Sequence, residues 1–215
     1  NLNLSFIGPS GCLWHVARTI NAAKAEGDED MLTRRTLAAA LIAAIAMPSL
    51  AAAQATTPSA ATIERKLEAA PRVKLRPNER VTIREFKRRP DLRRMARSID
   101  IQSINFAFGS AAIANSQYDK IETIADALRR ILRRDPGARV LIEGHIDAVG
   151  SFQSNQALSE QRAASLKRTL VREFRVPGHA LETVGYGEEF LLVQTQNENW
   201  QNRRVTLRRF DDFIR

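Results

Sequence analysis

Between Ser116 and Arg134 apolar side chains recur at helical spacing, and this stretch does most to limit what the chain can fold into. Ile121, Ile124, Ala125, Leu128, Ile131 and Leu132 fall at i, i+3, i+4, i+7 and i+10/i+11, one stripe of an amphipathic helix. Arg129, Arg130, Arg133 and Arg134 crowd its C-terminal end, where the helix dipole favours cations, and Asp135-Pro136-Gly137 stops it. Asn115-Ser116 is placed to cap its start. A helix with one apolar stripe needs a surface to cover, and the neighbouring sequence offers strands. Ile101, Ile104, Phe106 and Phe108 lie in a β-prone stretch, the last three on one face at period two, ended by Gly109-Ser110. Arg139 to Glu143 reads as a buried second strand, followed by a loop over 144–151. A second helix over 152–174 buries Leu158, Ala163, Leu166, Leu170 and Phe174, and ends at Val176-Pro177-Gly178. A third strand is expected over 181–187 and a fourth over 203–210, with Val205 and Leu207 inward and Thr206 and Arg208 outward. The order β-α-β-α-β-β predicts an α+β domain over residues 99–210, a two-layer arrangement with helices packed on one face of a small mixed sheet. About 110 residues suffice for one core.

The preceding residues read differently. Met31-Leu32-Thr33-Arg34-Arg35 opens an unbroken apolar run from Leu37 to Ile45, followed by Pro48-Ser49 and the small-residue string Ala51-Ala52-Ala53-Gln54-Ala55. A charged beginning, a short apolar core and an A-x-A site are what a secretory signal peptide needs. Residues 31–55 are therefore expected to be a cleaved signal peptide. Met31 is expected to be the true start, with 1–30 upstream translated sequence lacking ordered structure. Arg34-Arg35 hints at twin-arginine export, but its surroundings favour general secretion. Interrupted by Pro48 and Ser49, the apolar stretch falls short of the ~20 residues of a membrane span, so no transmembrane anchor is expected after cleavage. No cysteine follows it to accept a lipid. Residues 56–98 read as a basic, proline-containing linker. Residues 64–100 hold 13 Lys or Arg against 6 Asp or Glu, and Pro71, Pro77 and Pro90 break them into short pieces, with one short helix expected near Arg84–Arg97. Residues 211–215 read as a tail.

The formal net charge of +9 favours acidic partners in general, without choosing among nucleic acid, anionic lipid and wall polymer. One cysteine, Cys12, allows no internal disulfide, and His15, His145 and His179 lack metal-ligand spacing. Neither a metal, a cofactor nor an activated nucleophile is expected, and the chain is not expected to be an enzyme.

Specific motifs sit on the predicted loops. Glu143-Gly144-His145-Ile146-Asp147-Ala148-Val149-Gly150-Ser151 is followed by Asn155-Gln156-Ala157-Leu158-Ser159-Glu160-Gln161-Arg162-Ala163, then by Gly185-Tyr186-Gly187-Glu188 and Asn202-Arg203-Arg204-Val205. With Ile104-Asn105-Phe106-Ala107-Phe108-Gly109-Ser110, this series resembles the OmpA-like peptidoglycan-binding family of outer-membrane porin tails, peptidoglycan-associated lipoproteins and MotB-type stator subunits. The resemblance covers about half the chain.

The chemistry of such a ligand is simple. Diaminopimelate in a wall stem peptide presents an ammonium and a carboxylate on one carbon, and a reader of that end needs a carboxylate for the first and a guanidinium for the second. The resemblance implies that Asp147 and Arg162 are this pair, that Asn155 shapes the pocket and that Arg203 lines it from the last strand. Arg204 is expected to point to the other face and into solvent. His145 is expected to order its loop by hydrogen bonding, while Trp200 and Tyr186 suit either sugar stacking or a rim or core position. The sequence departs from the family pattern at Ile146, Gly109 and Glu198-Asn199, which bear on affinity. The expected function is non-covalent binding of peptidoglycan in a secreted, periplasmic, wall-associated protein, with outer-membrane association as a further expectation and no nucleic-acid partner. The alternatives are a protein–protein interaction module of an envelope complex, and a polyanion binder acting through 64–100.

Overall fold

The pairing of four short strands sets the frame of the molecule, whose computed structural model describes residues 56–215. The upstream segment 1–30 and the signal peptide 31–55 expected from sequence lie outside the described residues. The strands are β1 (Ser98–Ile101), β2 (Val140–His145), β3 (Leu181–Gly185) and β4 (Arg204–Arg209), in the sheet order β1-β4-β2-β3. β4 runs antiparallel to both neighbours and β2 parallel to β3, so the sheet is mixed. The described helices are α1 (Ala60–Glu68), α2 (Ile83–Arg88), α3 (Pro90–Met95), α4 (Tyr118–Arg134) and α5 (Phe152–Arg172). This is the α+β class with the strand and helix order expected over 99–210.

Alternation along the strands sorts side chains onto two faces. Ile101, Val140, Ile142, Leu181, Val205 and Leu207 share one face. There they meet Ile121, Ile124, Leu128 and Ile131 of α4 and Ala163, Leu166 and Leu170 of α5, all buried. The helical stripe read from the sequence is thus the stripe that packs.

The segment read as a linker is folded against the domain. α1 starts at Ser59, whose hydroxyl accepts from the Thr62 N–H at 3.2 Å, and it buries Ile63 and Leu67 completely in the same apolar cluster. Two such side chains contribute about 1.5–3 kcal/mol each. Its Glu64 pairs with Arg134 of α4. The stripe Ile63–Leu67 is one i, i+4 pair, too short to stand out in a sequence yet enough to dock a nine-residue helix on the domain.

α2 and α3 lie on the opposite face, so the sheet is covered on both sides and not on the one expected. α2 is closed by a reciprocal cap in which the Glu85 carboxylate accepts from the Thr82 N–H and the Thr82 hydroxyl accepts from the Glu85 N–H. Phe86 stacks on Phe210 at 5.3 Å between ring centroids, and Leu92, Leu141 and Phe213 complete this second cluster.

Three local expectations are corrected. β1 ends at Ile101, and the period-two stretch beyond it is a loop: Phe108 stands fully exposed, while Phe106 is half-buried beside Arg162. Asn115-Ser116 does not cap α4, because a single 3-10 turn over Asn115–Gln117 leads into it with no side-chain cap. Arg204 does leave the apolar face, but it is buried, with its guanidinium donating to the Phe190 carbonyl at 2.9 Å.

Candidate functional site

The connections that follow β1, β2 and β3 all emerge at one end of the sheet, because Ile101 and Gly144 both pair with Val205 at the start of β4, and Gly144 pairs with Gly185. The motif residues cluster there. The paired glycines explain how α5 reaches this end. A Cβ on Gly144 would lie 2.2 Å from the Ser159 carbonyl oxygen, and one on Gly185 would lie 2.3 Å from the Glu160 backbone nitrogen. Only glycine at both positions lets the helix backbone rest directly on the strands. The Ser159 hydroxyl, in turn, accepts from the Gly187 N–H at 2.8 Å and ties the helix to the loop after β3.

Asp147 sits in the loop after β2, its carboxylate accepting from Arg203 at 2.7 Å and more weakly from the Val149 N–H at 3.4 Å. Asn155, in the first turn of α5, donates to the Asp147 carbonyl at 3.3 Å and to the Glu188 carboxylate at 2.7 Å. It shapes the loop from beneath. Arg162 lies two turns further along α5. Its Nε donates to the Ser110 carbonyl at 3.0 Å and one Nη to the Ala107 carbonyl at 3.4 Å, holding the loop after β1. Two of its five N–H donors are so engaged, leaving three. Its pKa is lowered by burial and then by the nearby Arg203 charge, with Asp147 opposing. The structure therefore gathers Asp147, Arg162, Asn155 and Arg203 at one end of the sheet, but the direct ion pair is Asp147–Arg203. Arg203 also donates to Glu198 at 2.7 Å, so one departure from the family pattern places a second carboxylate on this arginine. Ile146, another departure, is buried and its backbone N–H donates to the Gly187 carbonyl.

Beside this cluster opens a cavity of about 680 Å³, whose lining includes Phe106, Lys120, His145, Arg162, Trp200 and Arg203. Trp200 is 44% exposed and forms its rim. Tyr186 is a core residue, its hydroxyl donating to the Lys87 carbonyl at 2.8 Å.

Beneath the site runs a layer of buried charge that the sequence reading missed. Glu143 is wholly buried and gripped from two sides. Arg93 of α3 donates to its two oxygens at 3.1 and 3.0 Å, and Arg208 of β4 at 2.7 and 3.1 Å. Arg93 also lies 3.7 Å from the centre of the Tyr186 ring and 4.3 Å from that of Phe190. Burial pushes the Glu143 carboxyl upward, but His145 and the two arginines outweigh it and hold the group well below the usual carboxylate range. His145 does not order its loop by hydrogen bonding as expected: both ring nitrogens lack a hydrogen-bond partner among the described residues, and Nε2 stays 3.6 Å from Glu143. Burial, with Glu143 opposing, lowers its pKa. One signal for this layer was available: a carboxylate in a strand read as buried requires a cationic partner.

Fold and site together define a small α+β domain that presents one carboxylate and two guanidiniums at one end of its sheet. Residues 105–205 match the model of the OmpA family. Over 104 residues the chain is 35% identical to outer membrane porin F of Pseudomonas aeruginosa, covering 47% of this chain and 29% of that protein. It is 36% identical over 100 residues to the peptidoglycan-associated lipoprotein of the same organism, covering 43% of this chain and 59% of that one. The crystal structure of the peptidoglycan-associated lipoprotein from Burkholderia pseudomallei aligns at 28% identity over 49% of this chain and 87% of that one, with a TM-score of 0.43. The chain thus spans less than two thirds of the length of these two curated relatives. OmpA-like domains are generally non-enzymatic peptidoglycan binders of envelope proteins.

Proposed function

We propose that this chain binds peptidoglycan non-covalently, as a periplasmic, wall-associated protein exported through the signal peptide read at 31–55, and that it reads the diaminopimelate end of stem peptides. The observation that carries this reading is the convergence of Asp147, Arg162 and Arg203 at one end of the sheet, within an OmpA family domain. In this reading the ligand ammonium takes the place of the Arg203 guanidinium beside Asp147. The ligand carboxylate then lies between Arg203 and the free donors of Arg162, a charge-assisted contact that arginine makes better than any other residue. Asn155 acts by positioning, since it grips the Asp147 carbonyl and not its carboxylate.

The test is co-sedimentation of the purified chain with peptidoglycan sacculi. Wild-type protein is expected in the pellet, and Asp147→Ala or Arg162→Ala is expected to cut the bound fraction at least tenfold. Wild-type protein that stays in the supernatant at low salt ends the reading. Undiminished pelleting of both variants moves the contact away from this site and favours an interaction module of another kind.

A further inference from the structure

The cavity beside Arg162 and Arg203 extends beyond what a single zwitterionic end needs. Of its lining residues, Lys120, Arg162, Arg203 and Arg204 are cationic, and none is acidic. Two side chains on its wall are buried with polar atoms that have no hydrogen-bond partner among the described residues: the Ser103 hydroxyl and both ring nitrogens of His145. His145 is only 3% exposed. Its nearest carboxylate, Glu143, has each oxygen already accepting from both Arg93 and Arg208. Buried polar groups are nearly always satisfied, and an orphaned cluster facing one cavity calls for an explanation. Lys120 supplies a further charge at the mouth, where its ammonium is steadied by the Ser103 carbonyl at 2.9 Å and the Gln117 side chain at 3.1 Å.

We infer that this cavity is a second, anion-selective subsite, which takes a further carboxylate of the same peptide ligand through Lys120, Ser103 and His145. The inference rests on the proposed reading of the neighbouring site. A stem peptide carries several carboxylates for each free ammonium. Arg203 is paired with Asp147 and Glu198 and Arg204 with Asp100, while Lys120 and Arg162 have no carboxylate partner among the described residues, which leaves two cations for the ligand's carboxylates. Ile104, Phe106 and Val205 give the cavity apolar walls that suit a peptide backbone better than a bare inorganic ion.

The experiment is calorimetric titration of the full chain with three probes. These are meso-diaminopimelate, the tripeptide L-Ala-γ-D-Glu-meso-diaminopimelate, and the same tripeptide with its two carboxylates outside the zwitterionic end amidated. The free tripeptide is expected to bind about tenfold more tightly than the amidated one. Lys120→Glu should abolish that preference while leaving the affinity for meso-diaminopimelate within twofold, and Lys120→Arg should restore it. A shift of the His145 ring nitrogen resonances with the free tripeptide, and not with the amidated one, places the carboxylate in the cavity. Equal binding of the two tripeptides, with meso-diaminopimelate still bound, overturns the subsite alone. Failure of meso-diaminopimelate and both tripeptides to bind overturns the subsite and the reading beneath it.

Discussion

The two faces of the sheet are buried by different means: one is wholly apolar, and the other sets a layer of charge beside its Phe86–Phe210 cluster. Against α1, α4 and α5 the sheet is sealed by aliphatic side chains, which pack without directional partners. Towards α2 and α3 it carries Glu143, Thr206, Arg204 and Arg208, and one arginine brought from α3 completes the pairing. An apolar face tolerates small changes, because each contact is one of many. A buried carboxylate clamped by two guanidiniums tolerates few, since removing one member strands the others away from water. The same N-terminal segment serves both faces, giving Ile63 to the first and Arg93 to the second.

The sharpest way to break this comparison is Glu143→Ala, which leaves the buried Arg93 and the partly buried Arg208 uncompensated and is expected to cost about 3–5 kcal/mol in denaturant unfolding. A loss below about 1 kcal/mol would mean that water already reaches the charged layer. On the apolar face, Ile63→Val removes one methylene and is expected to cost about 0.5–1.5 kcal/mol. No measurable change there would show that α1 is not docked in solution. The smallest effect is in pH. His145 has a lowered pKa, so the unfolded chain binds its proton first, and stability should fall as pH drops below the usual histidine value of about 6.5. Glu143, held low, adds stability above the usual carboxylate value of about 4.3 that is lost on further acidification. Melting temperature followed downward from pH 7 should decline in two stages, and His145→Gln should remove the upper one. A single stage near the carboxylate range in the wild type would show that the buried His145 contributes nothing to the pH dependence of stability.

Much of the apolar face was legible in the sequence. The stripe from Ile121 to Leu132 and the alternation at Val205 and Leu207 each encode one face by period, and the elements appear within a few residues of where that period places them. The charged face was not legible, because it has no period: Arg93 meets Glu143 across fifty residues, and nothing local distinguishes Arg93 from Arg94, which stays exposed. The candidate site lay between these cases. Its members were nameable from the motifs, and the structure gathers them, yet the pairing of Asp147 with Arg203 depends on how far the loop after β3 folds back. That distance is written in no spacing. The same limit applies to Phe108, whose β-prone neighbourhood gave no sign that the Gly109-Ser110 turn would leave it exposed.

The glycine notch formed by Gly144 and Gly185 has a consequence for how such a site can be tuned. Because the α5 backbone is seated on the strands with no side chain between them, Asn155 and Arg162 share one rigid body with the sheet and cannot drift apart from each other. Adjustment is left to the two loops that meet that body, the one carrying Phe106 to Ser110 and the one carrying Glu198 to Arg203. Changes in ligand preference, whether inherited or engineered, are therefore to be sought in those two loops. The helix supplies the fixed reference against which they are set.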